Sequence, residues 1–338
     1  MFHKLALFLV AVVVLLGAEA QSIHKSDKEA ILKQTKALLA QHYHFKDKVK
    51  PVSEFLDRQW REGRYDSFTR VSTFTEVVSR DLKGVANDQH LNFFYTPAHL
   101  AKASAQGPNM PWGLLEPKFL NNGLTGLQVL PGDVGYMRLQ AFGAIEDLLP
   151  AAFTFLGNTG ALIIDLRGNG GGMPSNFVSS YLLPEDSIHL VTIYWNDRTD
   201  KFYTQRTLKG PRYLDKPVYL LTDKGTFSSA EEFAYDLQQL KRVTIVGEAT
   251  GGGANPGGTM PVYTFKDSSR LDLYVSLAHV EHAISKGNWE GVGVQPDVAV
   301  KSEDALQKAH ALALDYLAGK EKDPLIQAQY REIKKKVE

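Results

Sequence analysis

Ala161-Leu-Ile-Ile-Asp-Leu-Arg-Gly-Asn-Gly-Gly-Gly172 is the stretch whose reading decides the fold. It begins as a short apolar run of strand length and ends in a turn crowded with glycine. Pro174 then opens a segment that reads as a helix to Leu183. A buried strand running into a glycine turn and a helix is a building unit of a mixed α/β core. Consecutive glycines let the backbone approach a ligand closely and aim its amides at an anion. The spacing does not match G-x-G-x-x-G, and no Lys-Ser/Thr pair completes a phosphate loop. Taken alone, the turn reads equally well as a plain tight turn or as a site.

The same grammar extends on both sides. Val134–Leu139 reads as a strand before the turn; Val218–Leu221, Val243–Val246 and Leu271–Val275 read as strands after it. Between the first two of these later strands, Ser229–Leu240 reads as a helix with Phe233, Leu237 and Leu240 on one face. Residues 22–87 read differently, as helices over Asp27–Ala40, Val52–Trp60 and Val71–Val85. Asn87 to Gly123 has no clear period and reads as a linker or loop segment. Glu303–Leu317 reads as an amphipathic helix, followed by a polar tail. The expected division is a signal peptide over 1–20, a helical N-terminal domain over 21–90 and a linker or loop segment over 91–125. A catalytic α/β core over 126–300 and a C-terminal helix and tail over 301–338 complete it.

Composition bounds the function. The 338 residues are 43% apolar and 22% charged, ordinary for a globular protein. Lysine plus arginine equals aspartate plus glutamate at 38 each, which argues against nucleic acid as the main partner. Lys4, the apolar run Leu5–Leu16 and Ala18-Glu-Ala20 have the layout of a secretory signal peptide cleaved after Ala20. The run is too short to span a bilayer, so no stable membrane insertion is expected once it is removed. The expected location is secreted or periplasmic. No cysteine is present, which removes thiol catalysis and zinc–thiolate sites.

Two further segments could carry chemistry. Thr226-Phe-Ser-Ser-Ala-Glu-Glu-Phe233 follows a strand, and Ser228 or Ser229 with Glu231 or Glu232 resembles a capping box. A hydroxyl at the positive end of a helix is equally placed to attack a carbonyl, with the next amide stabilising the oxyanion. The sequence leaves the cap and the nucleophile both open. Asn288-Trp-Glu-Gly-Val-Gly-Val-Gln-Pro-Asp297 is a glycine-rich loop in which Glu290 could orient an imidazole or hold a substrate amine. Arg167 could bind a substrate carboxylate or pair with an acid. His42 and His44, two apart, would face different sides of a helix, which disfavours a metal pair. His279 and His282 are candidate back-up bases, and His310 is expected on the surface.

These segments, in this order, resemble the tail-specific or C-terminal processing protease superfamily, peptidase family S41. The similarity is greatest to the branch of the tricorn core protease and interphotoreceptor retinoid-binding protein. It rests on Gly135–Leu139, Asp165–Gly172, Ser229–Ala234, Val246–Gly252, Asn288–Val294 and Asn87–Leu91, and covers roughly residues 75–300. The resemblance implies a crotonase/ClpP-like spiral α/β (α+β) core behind a helical N-terminal domain. It implies Ser229 as nucleophile, His90 as general base and Glu290 as the assisting carboxylate. The amides of Ala230 and of Gly171 or Gly172 would form the oxyanion hole. It implies no metal and no cofactor, a peptide or protein as substrate, and self-association of the core. The lysine base of the other branch has no counterpart between Lys241 and Lys266, and Leu91–Leu127 is too short for a PDZ module. The implied function is a secreted serine peptidase working through an acyl-enzyme. The rival is a non-catalytic carrier of retinoid or fatty acid on the same fold.

Overall fold

A computed structural model describes residues 21–104, 120–184 and 187–338. The signal-peptide reading of residues 1–20 and residues 105–119 of the 91–125 segment lie outside these described residues. The chain falls into two compact units. The first is Met1–Pro111, Trp195–Asp197 and Asn255–His279; the second is Trp112–Tyr194, Arg198–Ala254 and Val280–Glu338.

In chain order the helices are α1 (Lys25–His42), α2 (Lys46–Arg61), α3 (Val71–Ala86), α4 (Ala98–Ser104), α5 (Leu149–Leu156), α6 (Asn176–Ser179), α7 (Ser229–Gln239), α8 (Ala305–Lys320) and α9 (Pro324–Val337). The strands are β1 (Phe93–Thr96), β2 (Leu124–Leu130), β3 (Val134–Leu139), β4 (Ala161–Asp165), β5 (His189–Trp195), β6 (Thr199–Tyr203), β7 (Val218–Thr222), β8 (Thr244–Gly247), β9 (Gly257–Thr264), β10 (Arg270–Ser276), β11 (Ala278–His282) and β12 (Val298–Ala299). No described helix is long and apolar enough to cross a membrane.

The first unit packs α1–α3 against an antiparallel sheet of order β1–β10–β9. Val71, Phe74, Val78 and Leu82 recur at helical spacing on α3 and are at most 1% exposed. Burying each such side chain contributes about 1.5–3 kcal/mol. The strand expected at Leu271–Val275 forms as part of β10, but it joins this helical unit rather than the α/β core. Its partners are Phe93–Thr96 of β1 on one side and β9 on the other.

The second unit is built on a six-stranded sheet of order β12–β8–β7–β4–β3–β2. All its pairings are parallel except β2 with β3. Every residue of β4 and β7 is buried, as central parallel strands covered on both faces require. Ala305, Ala309, Ala313 and Leu314 of α8 pack on one face of the sheet, and Tyr330 and Ile333 of α9 join that cluster. The expected polar tail is therefore largely helix. His310, expected on the surface, is 6% exposed, with Nε2 2.8 Å from the Pro131 carbonyl. The helix expected from Pro174 to Leu183 shrinks to the four residues of α6. Arg212 takes the carbonyls of Ser180 and Leu183, which ends the turn.

Parallel pairing sets what lies at the carboxyl edge of this sheet. Asp165 of β4 is level with Leu221 of β7, and Thr222 with Gly247 of β8. The loops following these three strands therefore emerge side by side, where open α/β sheets hold their ligands.

Candidate active site

In the second unit, the candidate residues gather around those three loops. After β4, Asp165 is fully buried and accepts from Tyr136 Oη at 2.8 Å, Arg138 Nη1 at 2.8 Å and Arg167 Nη2 at 2.7 Å. Burial raises its carboxyl, and the two guanidiniums and the phenol more than offset this, leaving it below the usual range. Arg167 thus pairs with an acid and anchors the start of the glycine turn.

Asn169 shapes that turn. It is fully buried; its Nδ2 donates to the Leu139 carbonyl at 2.9 Å, and its Oδ1 accepts the Gly171 N–H at 2.9 Å. Its own carbonyl accepts from Phe227 N at 2.9 Å, which ties the turn to the loop after β7. Contact there is tight enough to require glycine. A Cβ on Gly171, at φ +93°, would lie 2.8 Å from the Phe227 oxygen and the Ser228 Cβ, and 3.0 Å from Ser229 N. The Gly171 amide is committed to Asn169. That of Gly172 makes no hydrogen bond among the described residues.

The loop after β7 separates the two serines that the sequence left open. Ser228 is the residue before α7, with φ 55° and ψ −125°, and its N–H donates to Glu231 Oε2 at 2.9 Å. A non-glycine residue there carries strain on the order of 1–3 kcal/mol. Ser229 opens the helix. Its Oγ is buried and has no hydrogen-bond partner among the described residues. The Ala230 amide, buried behind it, donates to the Phe227 carbonyl at 3.1 Å. Ser228 therefore occupies the capping position and leaves the Ser229 hydroxyl uncommitted at the helix N-terminus.

Glu290 lies on the loop that packs against residues 250–254. Its Oε2 accepts the Ala254 N–H at 2.7 Å, and its own N–H donates to Asn288 Oδ1 at 3.0 Å. The neighbouring Trp289 is 1% exposed and donates from Nε1 to the Gly253 carbonyl at 2.9 Å. The indole and the carboxylate thus grip the same loop from one short segment.

The first unit holds His90. Helix α3 ends at Asn87, whose φ of 45° and ψ of 56° turn the chain out of the helix. Asp88, fully buried, accepts the His90 N–H at 3.0 Å and the Tyr43 hydroxyl at 2.9 Å. The imidazole of His90, 7% exposed, stacks on Tyr274 with centroids 5.1 Å apart and planes 26° apart. Tyr274 Oη in turn accepts the Gly257 N–H at 2.7 Å. Burial, assisted by the Lys83 charge, lowers the His90 pKa to about 3, so the ring is neutral at rest. A neutral imidazole is the form a general base requires.

Three of the other histidines, His44, His279 and His282, have partners of their own. His44 lies beyond the end of α1, with Nε2 3.2 Å from His279 Nδ1 and Nδ1 2.9 Å from Asn196 Oδ1. His282 is fully buried, and its Nδ1 accepts from Ser285 N at 3.1 Å, closing a turn. Sequence reasoning missed Glu231, treating it only as a cap partner, and did not separate Asn169 from its glycine neighbours. The capping-box pattern was the available signal for the first; for Asn169 there was none.

The model of peptidase family S41 matches residues 133–300, and that of the N-terminal domain of Peptidase_S41 in eukaryotic IRBP matches residues 18–119. A carboxyl-terminal-processing protease of Synechocystis sp. is 31% identical over 179 residues, spanning 51% of this chain and 39% of that protein. A chloroplastic C-terminal processing peptidase of Tetradesmus obliquus is 29% identical over 175 residues, spanning 50% of this chain and 36% of that one. The matched stretch is thus well under half the length of these relatives. Among solved structures, a putative peptidase from Parabacteroides merdae superposes with a TM-score of 0.56 at 20% identity, covering 86% of this chain and 98% of that one. A lipoprotein from Streptococcus agalactiae gives 0.50 at 13% identity, covering 87% and 98%. At such identities the likeness is one of fold, and the fold is the mixed α/β architecture with a sheet core.

Proposed function

Because the chain belongs to peptidase family S41, we propose that it is a secreted serine-type peptidase cleaving peptide bonds through an acyl-enzyme at Ser229. One observation carries the reading. The Ser229 hydroxyl sits at the N-terminus of α7, buried and without a hydrogen-bond partner among the described residues, while its neighbour Ser228 takes the cap. A buried hydroxyl left without a partner costs about 1–3 kcal/mol, and a waiting reaction gives a reason to bear that cost.

The chemistry follows from the residues. His90 removes the proton from Ser229 Oγ as that oxygen attacks the substrate carbonyl carbon. Glu290 assists by orienting the imidazole and offsetting the positive charge it gains. The Gly172 N–H, which has no other acceptor among the described residues, and the Ala230 N–H, by exchanging its bond to Phe227, donate to the oxyanion. Collapse of the tetrahedral intermediate breaks the C–N bond, and the departing amine takes the proton from His90. Water, deprotonated by His90, then attacks the acyl carbon; Ser229 regains its proton and the acid product leaves.

A second reading has its own support. The N-terminal match is to the domain found in eukaryotic IRBP, so a carrier of retinoid or fatty acid on this fold is the rival. The test is labelling of the purified mature protein with a fluorophosphonate, alongside titration with retinol and oleate. Labelling that vanishes with Ser229→Ala and slows sharply with His90→Ala supports the peptidase. Saturable retinol or oleate binding by a folded, unlabelled protein supports the carrier and ends the peptidase reading.

A further inference from the structure

Glu231 lies on the first turn of α7, two residues beyond Ser229, and is fully buried. Its carboxylate collects four donors. Oε2 accepts from Ser228 N at 2.9 Å and from Gly253 N at 2.8 Å. Oε1 accepts from Gly252 N at 2.7 Å and from the Thr250 hydroxyl. A helix cap explains only the first of these, since a capping box needs one back-bond from its glutamate. The other three come from a loop some twenty residues away in the chain, whose Ala254 amide is held by Glu290 at 2.7 Å.

We propose that Glu231 is a positioning residue for Ser229, its carboxylate locking the strained Ser228 backbone and the Thr250–Gly253 loop into one frame. The inference rests on the serine-nucleophile reading and adds to it. Ser228 has a backbone conformation that few non-glycine residues adopt, and its N–H points at Glu231. Released from that bond, the peptide before Ser229 is free to relax, and the Oγ moves with it. A displacement of about 1 Å at a reacting atom is enough to cost roughly 100-fold in rate. Burial pushes the carboxyl up to about 7, and all four donors pull it back toward the charged form. A glutamine replaces it poorly, because in either orientation its NH2 would face at least one of the N–H donors.

The test resolves fluorophosphonate labelling of the full chain into kinact and KI for the parent, Glu231→Gln and Glu231→Asp. For Glu231→Gln, kinact is expected to fall about 100-fold while KI changes less than about threefold. Glu231→Asp keeps the charge on a shorter stem and is expected to recover about tenfold of that loss. A variant that partly unfolds loses labelling amplitude, whereas kinact reports only the molecules that react, so poor folding does not imitate the effect. A parental kinact in Glu231→Gln, or a loss confined to KI, overturns the inference and leaves Ser229 as nucleophile. A parent that never labels overturns the nucleophile reading, and the role of Glu231 with it.

Discussion

Ser229 and His90 are prepared in opposite ways. In the second unit, backbone does the placing: Gly171 lets two loops touch, Ser228 bends sharply, and Asn169 and Glu231 hold peptide groups. In the first unit, side chains do it: the Asp88 carboxylate accepts the His90 backbone N–H, and the Tyr274 ring stacks on the imidazole. A backbone device tolerates almost no added atoms, because main chain cannot step aside. A side-chain device should degrade by degrees, according to how much of each partner is removed.

The comparison can be broken in several places. The largest effect should follow His90→Ala, with labelling by a fluorophosphonate slowing about 10³-fold or more while Ser229 remains in place. Next, Gly171→Ala should destabilise the protein by about 2–4 kcal/mol in urea titration, since its Cβ would meet two atoms at 2.8 Å at positive φ. Gly170→Ala, where no atom lies within 4 Å, should change stability by less than about 1 kcal/mol. Equal losses at both glycines would refute the close-approach argument.

Graded effects should mark the His90 side. Tyr274→Phe keeps the stack and loses only the acceptor for Gly257 N–H, for about 1 kcal/mol and a labelling rate within tenfold of the parent. Tyr274→Ala should cost about 3–5 kcal/mol and slow labelling further. If phenylalanine proves as harmful as alanine, the ring is not what matters. A further effect is a pH slope from His282. Burial, with the His189 and Lys286 charges, lowers its pKa from 6.5 to about 4. The unfolded chain then takes up this proton first, so the contribution is full above pH 6.5 and is lost as the pH falls toward 4. His282→Gln should flatten the urea-unfolding stability between pH 6.5 and 4.5 by about 1–3 kcal/mol.

Legibility in the sequence followed the range of the interactions. β3 and β4 matched their expected bounds because central strands announce themselves as apolar runs. The helix from Ser229 was readable from its apolar face and its serine–glutamate start. β9 was not expected: it contains Gly257, Gly258 and Pro261, and its burial does not alternate. The membership of β10 in the helical unit depends on pairing with Phe93–Thr96, nearly 180 residues away, which no local pattern announces. The same limit hid Glu231. Its cap bond lies within three residues, whereas its other donors lie beyond α7 and β8. His310 looked like a surface residue on an amphipathic helix, yet its helix buries that side against the sheet.

The most direct test of the account is to locate the covalent label. The protein, treated with a fluorophosphonate, is digested and its peptides sequenced by mass spectrometry, with Ser228→Ala and Ser229→Ala treated in parallel. One adduct is expected on Ser229, retained in Ser228→Ala and absent from Ser229→Ala. An adduct on Ser228, or none on the folded parent, would contradict it.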